Sequence, residues 1–165
     1  MLKHILVPLD GSLLVKTALG LATQVAHTTC EITLVTVVQE PDYPTYPASP
    51  ISINPEYYPT LEMLEDNGKR YLEELAEPLR QRGYRVSTRV EVGSAADGIL
   101  HAADKLEVDA IVMSTHGRSG VSKWLYGSVT SRVLSHATRP VLVVPNQETQ
   151  QHERKLADMN FASLR

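Results

Sequence analysis

Short apolar runs alternate along the chain with longer stretches in which apolar residues recur every three to four positions. KHILVP at residues 3–8 closes on Pro8 and predicts a buried strand. EITLVTVV at 31–38 predicts a second, and residues 85–92 a third, with Val86, Thr88, Val90 and Val92 on one face. DAIVMS at 109–114 and PVLVV at 140–144 predict the fourth and fifth. Runs this continuously apolar suit strands covered on both faces, as in a parallel sheet. Between them, residues 12–27 place Val15, Ala18, Leu19, Ala22, Val25 and Ala26 at helical spacing, with Ser12 as the expected N-cap. A second helix is expected over 60–82, its stripe running from Leu61 and Leu64 through Gly68, Tyr71, Leu72 and Leu75 to Leu79, with Pro78 kinking or shortening it. A third spans 94–106, capped by Ser94 and burying Ile99, Leu100 and Ala103. The last runs over 128–136 with Val129, Val133 and Leu134 inward. Strands alternating with helices require right-handed crossovers, so the predicted fold is α/β, a single open five-stranded parallel sheet with helices on both faces.

Two segments interrupt this pattern. Residues 40–59 hold six prolines and four tyrosines, a composition that excludes a helix or a central strand and predicts a long loop, either a connector or a lid or partner surface. The polar stretch 146–165 carries three acidic and three basic side chains and is expected to be a frayed or weakly helical tail. The expected organisation is one domain over residues 1–145 followed by that tail.

Length and charge narrow the function classes. A chain of 165 residues, 42% hydrophobic and 21% charged, has the composition of a globular domain that needs no metal or disulfide staple. A net charge of −3 removes the electrostatic case for bulk nucleic-acid or anionic-membrane binding. No apolar run exceeds four residues, so none can cross a bilayer as a helix, and MLKHILVPLD lacks the apolar core of a secretory signal. Cys30 stands alone, which fits a reducing compartment and a buried, inert thiol. The expected location is the cytoplasm.

In an open parallel sheet, ligands gather at the carboxyl ends of the strands where strand order reverses. Two loops qualify. One is Pro8-Leu9-Asp10-Gly11-Ser12 after the first strand; the other runs from Ser114 to Thr130 after the fourth. Gly117, Gly120 and Gly127 let backbone N–H groups approach an anion, and a helix opening at Gly127-Ser128-Val129 offers its N-terminal donors to a phosphate. Ser128 and Thr130 add hydroxyls, while Arg118 and Lys123 add positive charge. Each feature also has a purely structural reading: glycines for tight turns, Ser128 as a helix cap, Asp10 and His116 as turn residues, Trp124 as packing. Glu62, Glu65, Glu73, Glu74 and Glu77 read as a solvated helix face. The dinucleotide fingerprint, the P-loop and zinc-ligand spacing are absent, and Gly117-Arg-Ser-Gly120 fails the nucleophile-elbow pattern at its last position.

Taken together, ILVPLDGS, TLVTVV, DAIVMSTHGRSGVSKWLYGSVTSRVL and RPVLVVP resemble the universal stress protein (UspA) family in its ATP-binding branch. That family's phosphate loop reads G-x2-G-x9-G-[ST]. Gly117, nine intervening residues and Gly127-Ser128 match it, whereas Ser114 stands at the first glycine, where its Cβ is expected to restrict backbone approach and dihedral choice. The resemblance implies a Rossmann-like, adenine nucleotide alpha hydrolase-like fold that holds ATP, AMP or ADP, with Mg2+ as an accompanying ion. Carried over by position, Pro8 and Asp10 would flank the adenosine, and Val37 would offer backbone contacts to adenine. Met113, Ser114, His116 and Gly117 would line the ribose and phosphates, and Gly127, Ser128, Val129 and Thr130 would hold the phosphate tail. It also implies a homodimer through the last strand, Val141 to Val144, an apolar run that is a liability as an open edge. The implied function is a nucleotide-dependent stress-response regulator. A nucleotide-free interaction module and a slow ATPase or autophosphorylating protein stand beside it, the latter lacking a clear general base.

Overall fold

The computed structural model describes residues 2–12, 14–41, 59–115 and 127–145. Nine elements alternate: β1 (His4–Pro8), α1 (Val15–Val25), β2 (Glu31–Val38), α2 (Leu61–Gln81), β3 (Arg85–Val92), α3 (Ala95–Lys105), β4 (Ala110–Thr115), α4 (Ser128–His136) and β5 (Val141–Pro145). Most of the loop expected over 40–59, the glycine-rich stretch 116–126 and the tail 146–165 lie outside the described residues.

The five strands form one parallel sheet in the order β3-β2-β1-β4-β5. Because strand side chains alternate, each strand supplies both faces. Ile5, Val7, Ile32, Leu34 and Val112 pack with Ala18 and Ala22 of α1 and Leu72 and Ala76 of α2. Leu6, Val35, Ile111 and Met113 pack with Ile99, Ala102 and Ala103 of α3 and Val133 of α4. The apolar runs read as doubly covered strands are therefore covered on both sides. Leu72 is fully buried, and truncating a leucine in such a position costs about 2–5 kcal/mol.

Beyond that apolar centre, one row of polar side chains crosses the sheet on the α3 side. The His4 imidazole Nε2 and Thr33 Oγ1 meet at 2.7 Å, Thr33 Oγ1 and Ser87 Oγ at 2.8 Å, and Ser87 Oγ donates to Glu31 Oε1 at 3.1 Å.

Several details depart from the sequence reading. Helix α1 begins at Val15 with Leu14 in the cap position and no side-chain cap bond. Ser12 is not the cap: its Oγ accepts from the Leu14 N–H at 3.3 Å, inside a separate turn. Pro78 does not end α2, which continues through Leu79, Arg80 and Gln81, with Leu79 buried in its last turn. Leu134 is 39% exposed because Val133 takes the inward position of the short α4. Val92 is 41% exposed at the end of edge strand β3, while its neighbour Glu91 is buried on the α3 side, ion-paired with Arg89 and 3.1 Å from His101 Nδ1. Ser94 caps α3 as expected, accepting from Asp97 N–H, and Thr60 caps α2, accepting from Met63 N–H.

Candidate functional site

The strand order reverses between β1 and β4. From β1 the chain builds outward through β2 to β3, then crosses back to lay β4 and β5 on the other flank. Helix α1, which follows β1, packs on one face of the sheet and α4, the next described element after β4, on the other, and a crevice opens at this point.

The β1 side is a tight turn. Leu9 N–H still donates to the Val35 carbonyl at 2.8 Å, after which the chain leaves the sheet. Asp10 Oδ1 accepts from Ser12 N–H at 3.0 Å, and Gly11 between them has φ +77, a conformation that favours glycine. Asp10 is thus a turn residue by its hydrogen bonding, and its exposed side chain still borders the crevice.

Across from it, α4 begins at Ser128 with Gly127 as its N-cap. Gly127 has no side chain with which to cap, so the first-turn N–H groups meet no capping oxygen from it, and these donors with the helix dipole favour an anion. The neighbouring α3 differs. Its cap Ser94 accepts from Asp97 N–H, and Ser94 Oγ donates to Asp97 Oδ2 at 2.6 Å. Arg132 of α4 reaches the other Asp97 oxygen at 2.9 Å, tying the two helices together. The Ser94 hydroxyl first, then the Arg132 charge, hold the Asp97 carboxyl below the usual carboxylate range.

Between turn and helix lies a cavity of about 280 Å³. Pro8, Leu9, Asp10 and Leu14 line one side, Val35 and Val37 the β2 side, and Met113 and Ser114 the β4 side. Ala95 and Ile99 of α3 close it, and Gly127, Ser128, Val129 and Thr130 form its helix-terminal end. Nine of the eleven sequence-derived candidates thus border one cavity: Pro8, Asp10, Val37, Met113, Ser114, Gly127, Ser128, Val129 and Thr130. His116 and Gly117 lie outside the described residues, as do Gly120, Arg118, Lys123 and Trp124. Sequence reasoning missed Leu9, Leu14, Val35, Ala95 and Ile99. The signal for Val35 was available, since it lies two residues before Val37 on the same strand face.

The lining is apolar toward β2 and α3 and polar toward α4. Asp10 is the one charged side chain among the described residues that line it. Thr130 is 5% exposed, whereas Ser128 faces solvent. Ser114 belongs to β4, paired with Val144, and Glu107 is the only non-glycine with positive φ among the described residues. The dihedral restriction expected of a serine there does not arise, because strand backbone accommodates a Cβ freely. Among the described residues, no group of three or more His, Cys, Asp or Glu could hold a metal ion. No described helix is long and apolar enough to cross a membrane.

A parallel open sheet with a half-apolar crevice at its switch point, bounded by an acidic turn and the N-terminus of α4, defines a doubly wound α/β domain. The universal stress protein family model matches residues 1–145, and the chain belongs to that family. It is 29% identical to the universal stress protein YxiE of Bacillus subtilis, over 87% of this chain and 99% of that one. With a universal stress protein of Methanocaldococcus jannaschii it shares 36% identity over 50% of this chain, spanning about half (49%) of the relative's length. The crystal structure of a family member from Burkholderia pseudomallei superposes with a TM-score of 0.65 at 28% identity, over 87% of this chain and 96% of that one. Two further structures share the fold at lower identity. One is a universal stress protein in complex with cAMP (TM-score 0.61, 21% identity, over 87% of this chain and 97% of that one). The other is an Arabidopsis thaliana family protein with AMP bound (TM-score 0.59, 18% identity, 87% and 92% covered).

Proposed function

We propose that this chain binds an adenine nucleotide, ATP, AMP or ADP, in the switch-point crevice and acts as a nucleotide-dependent regulator in a stress response. The observation that carries the reading is the pairing, across one cavity, of the Asp10 turn with the N-terminus of α4, whose N-cap Gly127 has no side chain to take up its N–H groups. An ionised carboxylate is an acceptor, which suits ribose hydroxyls as donors. The α4 N–H groups, with the Thr130 hydroxyl, are donors and suit phosphate oxygens. Val35, Val37 and Ile99 offer the apolar wall a base needs, with the Val37 backbone as the contact to adenine. Pro8 would flank the adenosine beside Asp10, and Met113 and Ser114 would lie under the ribose and phosphates. Family members with cAMP and with AMP bound support the ligand class.

Mg2+ would enter as the companion of ATP. With Asp10 as the only carboxylate lining the cavity among the described residues, the phosphates would supply most of its ligands. That same scarcity of ionisable groups favours binding over turnover, because activating a water requires a placed base. The reading includes a homodimer through Val141 to Val144 and a cytoplasmic site of action, the latter supported by the buried, unpaired Cys30.

The test is the thermal unfolding midpoint with and without millimolar AMP, cAMP, Mg-ATP and, as control, GTP. A ligand at a hundred times its Kd adds about 2.7 kcal/mol, a rise of several degrees for a domain of this size. A rise specific to adenine nucleotides supports the proposal and ranks them. No rise with any of them overturns it in favour of the nucleotide-free interaction module.

A further inference from the structure

The Asp10 turn is held from the opposite side of the sheet. Helix α2 packs on the face away from α3 and α4, and its Tyr71 is half-buried against that apolar layer. The Tyr71 hydroxyl emerges past the carboxyl end of the strands and accepts from Gly11 N–H at 3.2 Å. Gly11 is the left-handed residue immediately after Asp10. The other hydrogen bonds of the turn are local: Ser12 N–H to Asp10, Leu14 N–H to Ser12 Oγ, and Val15 N–H to the Ser12 carbonyl. Among the described residues, the bond from Tyr71 is the one that ties the turn, past Leu9, to an element outside it. Burial foremost, with the Asp10 charge, pushes the Tyr71 hydroxyl above its ordinary pKa, so it stays protonated at neutral pH.

From this arrangement we infer that Tyr71 is a positioning residue for the nucleotide site, fixing the Asp10 carboxylate through Gly11 without lining the cavity itself. The inference rests on the adenine-nucleotide reading of the crevice. A solvent-exposed carboxylate on a free turn would sample many orientations, and a ligand would have to order it on binding. A turn tethered at Gly11 presents that carboxylate already aimed, which lowers the cost of association. Tyrosine suits the task because its ring anchors in the apolar layer while its polar tip reaches the turn.

The experiment measures AMP affinity by calorimetry for wild type, Tyr71→Phe, Asp10→Ala and the double variant. Tyr71→Phe keeps the ring, so the fold is retained and AMP affinity is expected to fall roughly three- to tenfold, the size of one lost hydrogen bond. In the Asp10→Ala background the same substitution is expected to have no further effect, because the group it positions is gone. Independently of any ligand, the Gly11 amide of the wild type is expected to exchange with solvent at least about tenfold more slowly than in Tyr71→Phe. Unchanged AMP affinity in Tyr71→Phe, losses that multiply in the double variant, or an unprotected Gly11 amide would each overturn the inference while wild-type binding stands. Failure of the wild type to bind any adenine nucleotide overturns the nucleotide reading and this inference with it.

Discussion

A methyl group built on Gly98 of α3 would stand 2.9 Å from both Cγ atoms of Val37 on β2. The helix approaches the sheet closely enough there that only hydrogen fits, and the side chain it presses on lines the crevice. Gly98→Ala is therefore expected to lower stability by about 1–3 kcal/mol through overpacking, and to weaken nucleotide binding as Val37 shifts. Gly68 offers the control. Its added methyl would meet Thr36 Cγ2 at 3.1 Å and a Val90 methyl at 3.3 Å, on the α2 side of the sheet. Gly68→Ala is expected to alter the unfolding midpoint and leave nucleotide affinity unchanged, with melting curves and calorimetry separating the two.

Gly127 behaves oppositely. Its φ of −54 and ψ of 158 are open to any residue, and nothing among the described residues lies within 4 Å of a Cβ built there. Gly127→Val is expected to change unfolding free energy by under about 1 kcal/mol while reducing nucleotide affinity tenfold or more. Equal losses in both would make the glycine structural. Gly127→Asp sharpens the test. A capping carboxylate takes up the first-turn N–H groups of α4, so the ligand-free midpoint rises slightly while affinity for a phosphate falls.

The pairing of α2 with β3 gives a pH prediction. Glu73 accepts from Arg80 at 2.6 Å and from the Thr88 hydroxyl at 2.6 Å, and these hydrogen bonds, Arg80 first, lower its pKa from 4.5 to about 2. A depressed carboxylate stabilises the fold fully above its unfolded pKa, and that increment is lost as pH falls through the folded value. Wild type should therefore lose stability between pH 4.5 and about 2 more steeply than Glu73→Gln. The two curves converge below that window, as urea titrations at stepped pH would show. The side chain is half exposed, so the increment is small.

Among the described residues, strand β5 pairs with β4 on one side only, and Val141 to Val144 remain partly accessible. The proposed homodimer would cover that edge. Sedimentation is expected to give twice the 18.3 kDa chain mass, and a monomer at micromolar concentration would refute it.

The sequence shows most plainly what depends on local periodicity. Residues 31–38 and 85–92 are strands at the bounds read from their apolar pattern, and β1, β4 and β5 lie within one residue of theirs. The start of α1 was hidden because Asp10 and Ser12 satisfy neighbouring N–H groups in a turn of their own, a local alternative to capping. Leu134 and Val133 are adjacent on a nine-residue helix, and composition alone does not say which of two apolar neighbours points inward. On the crevice, the glycine-to-glycine spacing and the residues after the first strand marked the polar half. In its apolar half, Val37 and Met113 were legible through the family resemblance, whereas Val35, Ala95 and Ile99 are ordinary apolar residues in sequence and become lining only through the packing of α3 on the sheet. Tyr71 was read as one position in an apolar stripe, and nothing local to it announces a partner sixty residues earlier.

The row from His4 through Thr33 and Ser87 to Glu31 has one more consequence. Apolar strands rich in valine, isoleucine and leucine resemble one another, and hydrophobic burial alone discriminates weakly between a correct pairing and one slipped by a residue. A slip of β3 against β2 by one residue would rotate Ser87 toward α2 and take from the Thr33 hydroxyl its Ser87 partner. Three strands must be in register together before the polar row closes, so the mispaired sheet is penalised at several groups at once. Those four side chains thus add a preference for the observed register to the β3-β2-β1 half of the sheet.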